Sequence, residues 1–256
     1  MAKIRQTVNI KKNSFEVTAW QQEQVVIGID EVGRGCLAGP VVAAAVILPI
    51  NKMSRMLKDS KIMTPEERQS AFLWIKKHCF YGVGIVHHRI VDQHNIRQAT
   101  FIAMKRAVIN VLEISRLSPS ALLVDAMPLD LFDTVLYDIP VHHFPYGESK
   151  SSSIAAASIV AKVTRDGMMA SFDAALPGYV WADNKGYGTV AHKIAIRKHH
   201  YSIIHRLSFL NGLFQPSYKD TSEGMIGQVE GMQLSFDDVT REKCNDEAGE
   251  ILCRSD

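Results

Sequence analysis

Two apolar, strand-like runs separated by a short turn-rich segment constrain this chain more than any other feature. The first, QVVIGID at residues 24–30, is rich in β-branched side chains, and the second, VVAAAVILPI at 41–50, is almost wholly apolar. Between them lies EVGRGCLAGP, whose glycines and proline favour turns. This pattern predicts two strands joined as a hairpin-like pair.

The rest of the chain supplies the other strands and the helices of a mixed sheet. Further strands are predicted at 81–87, 121–125 and 141–146, and helices at 65–78, 96–115, 153–175 and from about Thr189 onwards. The helix at 65–78 begins with a threonine, a proline and two glutamates, a typical N-terminal signature. The order strand, strand, strand, helix, strand, strand, helix indicates an α/β fold with a mixed five-stranded sheet flanked by helices.

The length of 256 residues suits one main domain with a sizeable core. We predict an N-terminal extension at 1–24, a main domain at 25–216 and an acidic, largely disordered tail at 217–256. The tail carries 4 basic and 10 acidic side chains, and the remaining body carries 25 basic and 17 acidic ones, a net charge of +8. A basic body suits a polyanionic partner, although many proteins that never bind nucleic acid have a similar charge.

No segment indicates a membrane span or a zinc site. There is no signal-like apolar stretch at the N-terminus, and the longest apolar run, Val41–Ile47, is far too short to cross a bilayer, so we predict a cytoplasmic protein with no membrane partner. The four cysteines form no C-x-x-C pair, which argues against a zinc knuckle or a disulfide framework. Histidine pairs at 87–88, 142–143 and 199–200 lack metal-ligand spacing and are interpreted as exposed or hydrogen-bonded side chains.

Carboxylates stand at the ends of two of the predicted strands. Asp30 and Glu31 close the first strand, and Asp125 closes the strand in ALLVDA. Adjacent acids in such a place repel each other unless a cation lies between them, and hard divalent ions prefer oxygen ligands. If the strands are neighbours, the acids converge on a site suited to two-metal phosphodiester hydrolysis. A solvated turn is the alternative and the commoner context for an isolated Asp-Glu pair.

Six motifs in a fixed order resemble the bacterial ribonuclease HII family. They are DEVGRG at 30–35, DSK at 59–61, NI-x-x-AT-x-x-AM at 95–104, LLVDA at 122–126, SIAAASIVAKVTRD at 153–166 and NKGYGT at 184–189. The resemblance extends from about Val25 to Phe209. It implies a ribonuclease H-like fold with a small C-terminal helical part. It also implies an endonuclease of DNA replication and ribonucleotide excision repair, with RNA–DNA hybrids and DNA containing ribonucleotides as partners.

The resemblance also implies which residues bind metal. Asp30, Glu31 and Asp125 match three metal-binding carboxylates of the family, and Glu148 stands where the family has an aspartate. Together they would hold two Mg²⁺ or Mn²⁺ ions, and cleavage on the 5′ side of a ribonucleotide would leave 3′-hydroxyl and 5′-phosphate ends. Glutamate also binds these ions, but its longer side chain changes the metal spacing. Asp166 is the rival for the fourth position, with a salt-bridged structural role as its alternative.

Substrate contacts follow from the same matches. Gly33, Arg34 and Gly35 resemble the backbone segment with which the family detects the 2′-hydroxyl group of the ribonucleotide. Tyr187 matches the aromatic side chain that stacks on the sugar of the following deoxynucleotide, and its alternative is a packed tyrosine in a turn. The candidates for phosphate contacts are Lys61, Lys150, Lys185 and Arg206.

Two alternative functions and one further partner complete the predictions. A ribonuclease HIII would carry an added N-terminal domain, for which the 24 residues before the first strand are too few. A hybrid-binding protein that has lost catalysis is the other alternative, favoured only by Glu148. In the tail, Gln233–Phe236 (QLSF) is faintly similar to peptides that dock on the bacterial sliding clamp, which makes the clamp a candidate partner.

Overall fold

The computed structural model describes residues 11–129, 138–211 and 213. Its strands are β1 (Val25–Val32), β2 (Val41–Ile47), β3 (Phe80–Val86), β4 (Pro119–Asp125) and β5 (Val141–Phe144). Its helices are α1 (Ser14–Gln21), α2 (Pro65–His78), α3 (His88–Ser115), α4 (Gly147–Lys150), α5 (Ser152–Ala175), α6 (Trp181–Asn184), α7 (Val190–His199) and α8 (Leu207–Leu210). The predicted tail at 217–256, with Gln233–Phe236, lies outside the described residues.

The five strands form one mixed sheet in the order β3-β2-β1-β4-β5. β2 is antiparallel to both of its neighbours, whereas β4 is parallel to both β1 and β5. The predicted mixed five-stranded sheet is therefore confirmed. Because β1 and β4 are parallel neighbours, their carboxyl ends lie at the same edge of the sheet. Ile29 pairs with Val124, so the residues that follow, Asp30 and Asp125, come side by side.

Helices cover both faces of this sheet. Successive side chains of a strand point to opposite faces. On one face Ile27 and Ile29 pack with α3, and on the other Val42 and Ala44 pack with α2 and α5. Among the described residues, no helix has the length and apolar character needed to cross a lipid bilayer.

The helix boundaries agree with the sequence in one case and differ in another. α2 has the expected start, because the Thr64 side chain accepts a hydrogen bond from the Glu67 N–H and the Glu67 side chain accepts one from the Thr64 N–H. α3 begins at His88, earlier than the predicted residue 96. Its helical backbone is interrupted at Asn95, where φ is 71° and ψ is 165°. The predicted start therefore coincides with this break rather than with the first turn.

A glycine sets the distance between the sheet and α5. A Cβ atom at Gly28 would lie 2.1 Å from the backbone carbonyl carbon of Ser153. Only a residue without a side chain allows the strand and the helix to approach so closely. The first turn of α5 is therefore held against β1, two residues before Asp30.

Helix α1, which the sequence patterns did not predict, holds the start of α5 in place by hydrogen bonds. The Asn13 side-chain oxygen accepts a hydrogen bond from the Ser152 N–H at 2.8 Å. Glu16 is fully buried, and its carboxylate accepts hydrogen bonds from the Ser151 hydroxyl and the Ser153 N–H. A negative charge is stabilising at the N-terminus of a helix. The described part of the predicted N-terminal extension therefore packs into the main fold.

A small helical part follows α5, as predicted. Its core contains Trp181, Tyr179 and Ile196 from the segment around α6 and α7, together with Met169 of α5. The segment that precedes α8 returns to the loop after β1, where His205 pairs with Ala38 in an isolated bridge. This return brings the C-terminal helices next to the glycine-rich loop.

Candidate active site

Three acidic side chains converge at the edge of the sheet where β1 and β4 end. Asp30, Asp125 and Glu148 each offer one carboxylate oxygen, and these oxygens all lie within 4.8 Å of one another. Asp30 and Glu148 are buried, and Asp125 is half-buried. In the described part of the chain, this is the only group of three or more histidine, cysteine or acidic residues close enough to share a metal ion. We call these three residues the acidic cluster.

The segment around α4 orients two members of the acidic cluster. Glu148 lies on α4, where its Oε1 accepts hydrogen bonds from the Ser158 hydroxyl at 3.0 Å and from the Lys61 ammonium at 3.3 Å. The Gly147 N–H donates to Asp125 Oδ1 at 2.6 Å. Residues from the DSK motif, the LLVDA motif and the long-helix motif therefore meet at one place.

The acids of this site disfavour one another's charges. The pKa of Asp30 is raised well above its usual value by burial and then by the charges of Glu31 and Asp125, against a hydrogen bond from Ser158. A divalent cation would relieve this repulsion, and carboxylate oxygens are the ligands that hard cations prefer. The acidic cluster therefore fits a divalent metal ion.

Glu31 lies beside the acidic cluster without being one of its three members. Its Oε1 pairs with Arg34 Nη1 at 3.1 Å, and its Oε2 is buried without a hydrogen-bond partner. Burial raises the pKa of Glu31, although the charge of Arg34 opposes the shift. An orphaned, buried carboxylate oxygen is costly unless a cation or a donor satisfies it. Glu31 therefore has one oxygen available for a metal ion in this position.

Asp166, the rival for the fourth acidic position, pairs with a lysine of its own helix. Its Oδ1 forms an ion pair with the Lys162 ammonium one helical turn earlier, at 3.0 Å, although without hydrogen-bond geometry. It is not part of the group of converging oxygens. This placement favours the salt-bridged structural alternative for Asp166.

The segments that are predicted to contact the substrate lie close together. Gly33 is buried at φ 90°, and a Cβ there would lie 2.2 Å from Arg165 Nε. Gly35 is exposed and has no neighbouring atom within 4 Å of the Cβ position. Tyr187 is 39% exposed, and the Arg165 guanidinium lies 5.9 Å from its ring centroid. We call the 33–35 loop and Tyr187 together the reading surface.

The three candidate lysines differ in exposure. Lys61 is exposed and reaches Glu148, whereas Lys150 and Lys185 are half-buried. The Lys150 ammonium lies 5.6 Å from the centroid of the Phe144 ring. All three retain exposed surface from which a phosphate contact can be made.

Arg206 lies in a different environment from these lysines. It is fully buried, and its guanidinium donates to the Gly39 carbonyl and, at 2.9 Å, to the Arg34 carbonyl. A guanidinium without exposed surface, already bonded to backbone carbonyls, is not free to contact a phosphate. The burial of Arg206 argues against the predicted phosphate contact and favours a role in holding the 33–35 loop.

Sequence reasoning missed two features that support the reading surface. Arg165 is fully buried and donates to the carbonyls of Pro40, Ala38 and Lys185 at 2.9, 3.1 and 2.8 Å. His192 and His205 form a buried pair, and His192 bonds to the Tyr187 carbonyl. No spacing signal indicates either feature, because arginine and histidine side chains are usually exposed or only partly buried. The three histidine pairs visible in the sequence contribute no ligand to the acidic cluster.

Comparison with known proteins agrees with the fold and the site. The family model for Ribonuclease HII matches residues 27–212. Ribonuclease HII of Lactobacillus delbrueckii subsp. bulgaricus is 45% identical over 197 residues, which cover 77% of this chain and 73% of that protein. Ribonuclease HII of Alkaliphilus metalliredigens is 42% identical over 205 residues, covering 78% and 98%. The ribonuclease HII in the PCNA complex from Archaeoglobus fulgidus superposes with a TM-score of 0.59 at 24% identity, covering 76% and 99%.

The fold and the relatives together define the class of the protein and its family. The sheet order, the flanking helices and the structural neighbours define a ribonuclease H-like fold, as predicted. Within this fold, the chain belongs to the ribonuclease HII family. It is a ribonuclease H endonuclease, a hydrolase of a metal-dependent family that acts on RNA–DNA hybrids. The family match confirms the predicted resemblance and disfavours the ribonuclease HIII alternative.

Proposed function

We propose that this endonuclease hydrolyses the RNA strand of RNA–DNA hybrids and also cuts on the 5′ side of ribonucleotides embedded in duplex DNA. The products would carry 3′-hydroxyl and 5′-phosphate ends. The observation that supports this proposal is the convergence of Asp30, Asp125 and Glu148 at one edge of the sheet. Acidic oxygens in this arrangement suit metal-assisted phosphodiester hydrolysis, and the family relationship supports a hybrid substrate.

The metal would be Mg²⁺ or Mn²⁺, two ions per site, held by the acidic cluster together with Glu31. Bound ions of this type lower the pKa of water and neutralise the charge that develops on a phosphate. The protein orients the ligands, since the Gly147 N–H fixes Asp125 and the Ser158 hydroxyl fixes Glu148. Glu148 replaces the aspartate of the family but keeps an oxygen ligand, which supports retained metal binding.

The reading surface would recognise the ribonucleotide. At Gly35 the backbone is exposed and has no close neighbour, so a sugar hydroxyl can approach it. Tyr187 is 39% exposed, and its exposed part would stack on the next deoxyribose. Lys61, Lys150 and Lys185 would contact phosphates and set the register of the duplex.

Cleavage of a DNA duplex that contains one ribonucleotide, with Mg²⁺ and with Mn²⁺, tests this proposal. We expect one cut on the 5′ side of the ribonucleotide and none in an all-DNA duplex of the same sequence. Asp125→Asn should abolish cleavage, and Asp166→Asn, the matched control, should retain it. If the protein binds the duplex but does not cut it with either metal, the alternative of a hybrid-binding protein that has lost catalysis is favoured.

A sliding clamp is the further partner that we propose, through Gln233–Phe236. The support is the similarity of QLSF to clamp-docking peptides, together with the structure of the Archaeoglobus fulgidus relative in complex with PCNA. We expect the full chain to bind a purified bacterial clamp and Phe236→Ala to lose this binding while retaining cleavage. Equal binding by both forms would contradict the proposal.

A further inference from the structure

Two histidines outside the acidic cluster form a buried hydrogen-bonded pair. His192 of α7 and His205, ahead of α8, are 0% and 2% exposed, and their Nε2 atoms lie 3.0 Å apart. Their rings pack against Tyr179 and Trp181, with ring centroids 5.1–5.3 Å apart. Nothing in the proposed hydrolysis uses either imidazole, so the pair calls for a separate explanation.

The neighbours of the pair determine where each proton lies. The Ser202 N–H donates to His205 Nδ1 at 2.8 Å, so this nitrogen is an acceptor and the proton of a neutral His205 is on Nε2. His205 then donates to Nε2 of His192, which places the proton of His192 on Nδ1. This Nδ1–H donates to the Tyr187 carbonyl at 2.8 Å. A single chain of hydrogen bonds therefore runs from Ser202 through two imidazoles to Tyr187.

Both imidazoles are neutral at neutral pH. Burial lowers the pKa of His192. Burial, together with the repulsion that a protonated His192 would add, lowers the pKa of His205 to about 4. A proton added to either acceptor nitrogen would break the chain, because the facing N–H group would lose its acceptor. The neutral form is therefore the form that completes every contact of the pair.

Hydrogen bonds hold the backbone on both sides of Tyr187. Before Tyr187, Lys185 and Gly186 have φ of 50° and 82°, and the Asn184 side chain accepts a hydrogen bond from the Gly186 N–H. After Tyr187, its carbonyl accepts bonds from the Thr189 N–H, which lies within the same turn, and from His192. Of these two bonds, the one from His192 connects the turn to the protein interior.

The same segment also holds the other half of the reading surface. Arg206, the residue after His205, donates from its guanidinium to the Arg34 carbonyl at 2.9 Å. Its backbone N–H donates to the Leu37 carbonyl at 2.8 Å. The 33–35 loop and the Tyr187 turn are therefore connected through His205 and Arg206. This connection adds to the direct bond from the Leu37 N–H to the Gly186 carbonyl at 2.8 Å and to the bond from Arg165 to the Lys185 carbonyl.

We propose that His192 and His205 are positioning residues that hold Tyr187 at a fixed spacing from the 33–35 loop. The inference rests on the proposed function, because it takes Tyr187 to contact the substrate. It extends that function to two residues that touch neither the scissile phosphate nor the acidic cluster. Their effect should therefore fall on substrate recognition rather than on the hydrolytic step.

Steady-state cleavage of the duplex with one ribonucleotide tests the inference through the separate changes in KM and kcat. We expect His192→Ala to raise KM about tenfold, the effect of losing one buried hydrogen bond, with kcat close to the wild-type value. His192→Asn offers an amide N–H at the place of Nδ1–H and should restore most of the affinity. Ile194→Ala, on the exposed side of the same helix, is the matched control and should leave KM unchanged.

A double-mutant cycle separates positioning of Tyr187 from general damage to the fold. If His192 acts through Tyr187, His192→Ala should add nothing to the KM increase caused by Tyr187→Ala. His205→Asn keeps the acceptor for Ser202 but removes the donor to His192, and it serves if His192→Ala fails to fold.

Several outcomes would overturn the inference. It is wrong if these histidine variants leave KM unchanged, or if their effects add fully to that of Tyr187→Ala. An unchanged KM for Tyr187→Ala itself would remove both the proposed stacking and this inference, while wild-type cleavage would still stand as the separate test of the nuclease function.

Discussion

The acidic cluster and the reading surface differ in how their charges are balanced. In the acidic cluster, negatively charged carboxylates lie close together in a largely buried site. Burial and their mutual repulsion raise the pKa of Asp30. Under the reading surface, the buried charges are the guanidinium groups of Arg165 and Arg206, and each is bonded to backbone carbonyls. The ionised carboxylates of the acidic cluster are therefore stabilised when a cation binds. The guanidinium groups beneath the reading surface are instead satisfied by hydrogen bonds within the protein.

This difference predicts that the two regions contribute oppositely to stability. Removing a charge from the acidic cluster should stabilise the metal-free protein and destroy activity. Removing a charge from beneath the reading surface should destabilise the protein, because backbone carbonyls lose their donors. Measurements of activity and of unfolding on single-residue variants can distinguish the two effects.

The largest expected effect is that of Asp30→Asn. Removing a metal-binding charge should lower the rate of cleavage by about a thousandfold, because several kcal/mol of charge stabilisation are lost. The same change should raise the unfolding temperature in EDTA, since the ionised Asp30 is disfavoured in the fold. Asp183→Asn, at an exposed position, is the control for both measurements. Retained cleavage or a lower unfolding temperature would contradict the contrast.

Arg165→Met should have the largest effect on stability. The methionine fills much of the space but leaves three carbonyls without their donor, so we expect the free energy of unfolding to fall by about 3 kcal/mol. Urea denaturation measures this change. Arg197→Met, at an exposed position of α7, should change the free energy by less than about 0.5 kcal/mol. Equal urea midpoints for the two variants would show that the buried guanidinium is dispensable.

The pH dependence of stability should have opposite signs in the two regions. The raised pKa of Asp30 means that its protonation on acidification favours the fold. The pKa of His205 is lowered from 6.5 to about 4. Its contribution is complete above pH 6.5 and is lost as the pH falls towards 4.

Comparing variants isolates this histidine contribution. In an Asp30→Asn background, the free energy of unfolding should fall by about 2 kcal/mol more between pH 8 and pH 5 when His205 is present than when it is replaced by asparagine. Urea denaturation at each pH provides the values. Parallel pH profiles for the two proteins would mean that His205 does not titrate with a lowered pKa.

Glu148→Asp should have the smallest effect. It restores the residue type of the family and keeps an oxygen ligand, so we expect cleavage to change by less than about tenfold. Glu148→Gln should lose cleavage severely under the same conditions. A fully active Glu148→Gln would remove Glu148 from the proposed metal site and return Asp166 to consideration.

The sequence predicted the part of the site that depends on strand order. Asp30 and Asp125 follow apolar runs, and parallel neighbouring strands bring their ends together. Glu148 was found only through the family resemblance, because it lies on a one-turn helix that has no periodic signal. The sheet could be predicted because strand patterns are repetitive, whereas a four-residue helix offers too few residues to form a pattern.

The supports of the reading surface were not predictable for a different reason. Arg206 was predicted to contact a phosphate, because charged side chains are rarely buried without a charged partner. Its partners, Gly39 and Arg34, are backbone carbonyls that no residue type reveals. The pair formed by His192 and His205 likewise depends on the return of the chain after α7, which is a property of the tertiary fold.

The contacts between α1 and the start of α5 show that the N-terminal limit of the family match differs from the N-terminal limit of the packed fold. The family model begins at residue 27, yet Asn13 and Glu16 supply acceptors for amides in the first turn of α5. A chain trimmed to residues 27–212 would keep the six family motifs and every proposed metal ligand, but those amides would lose their acceptors. The segment that the family model matches is therefore shorter than the segment whose contacts hold the start of α5.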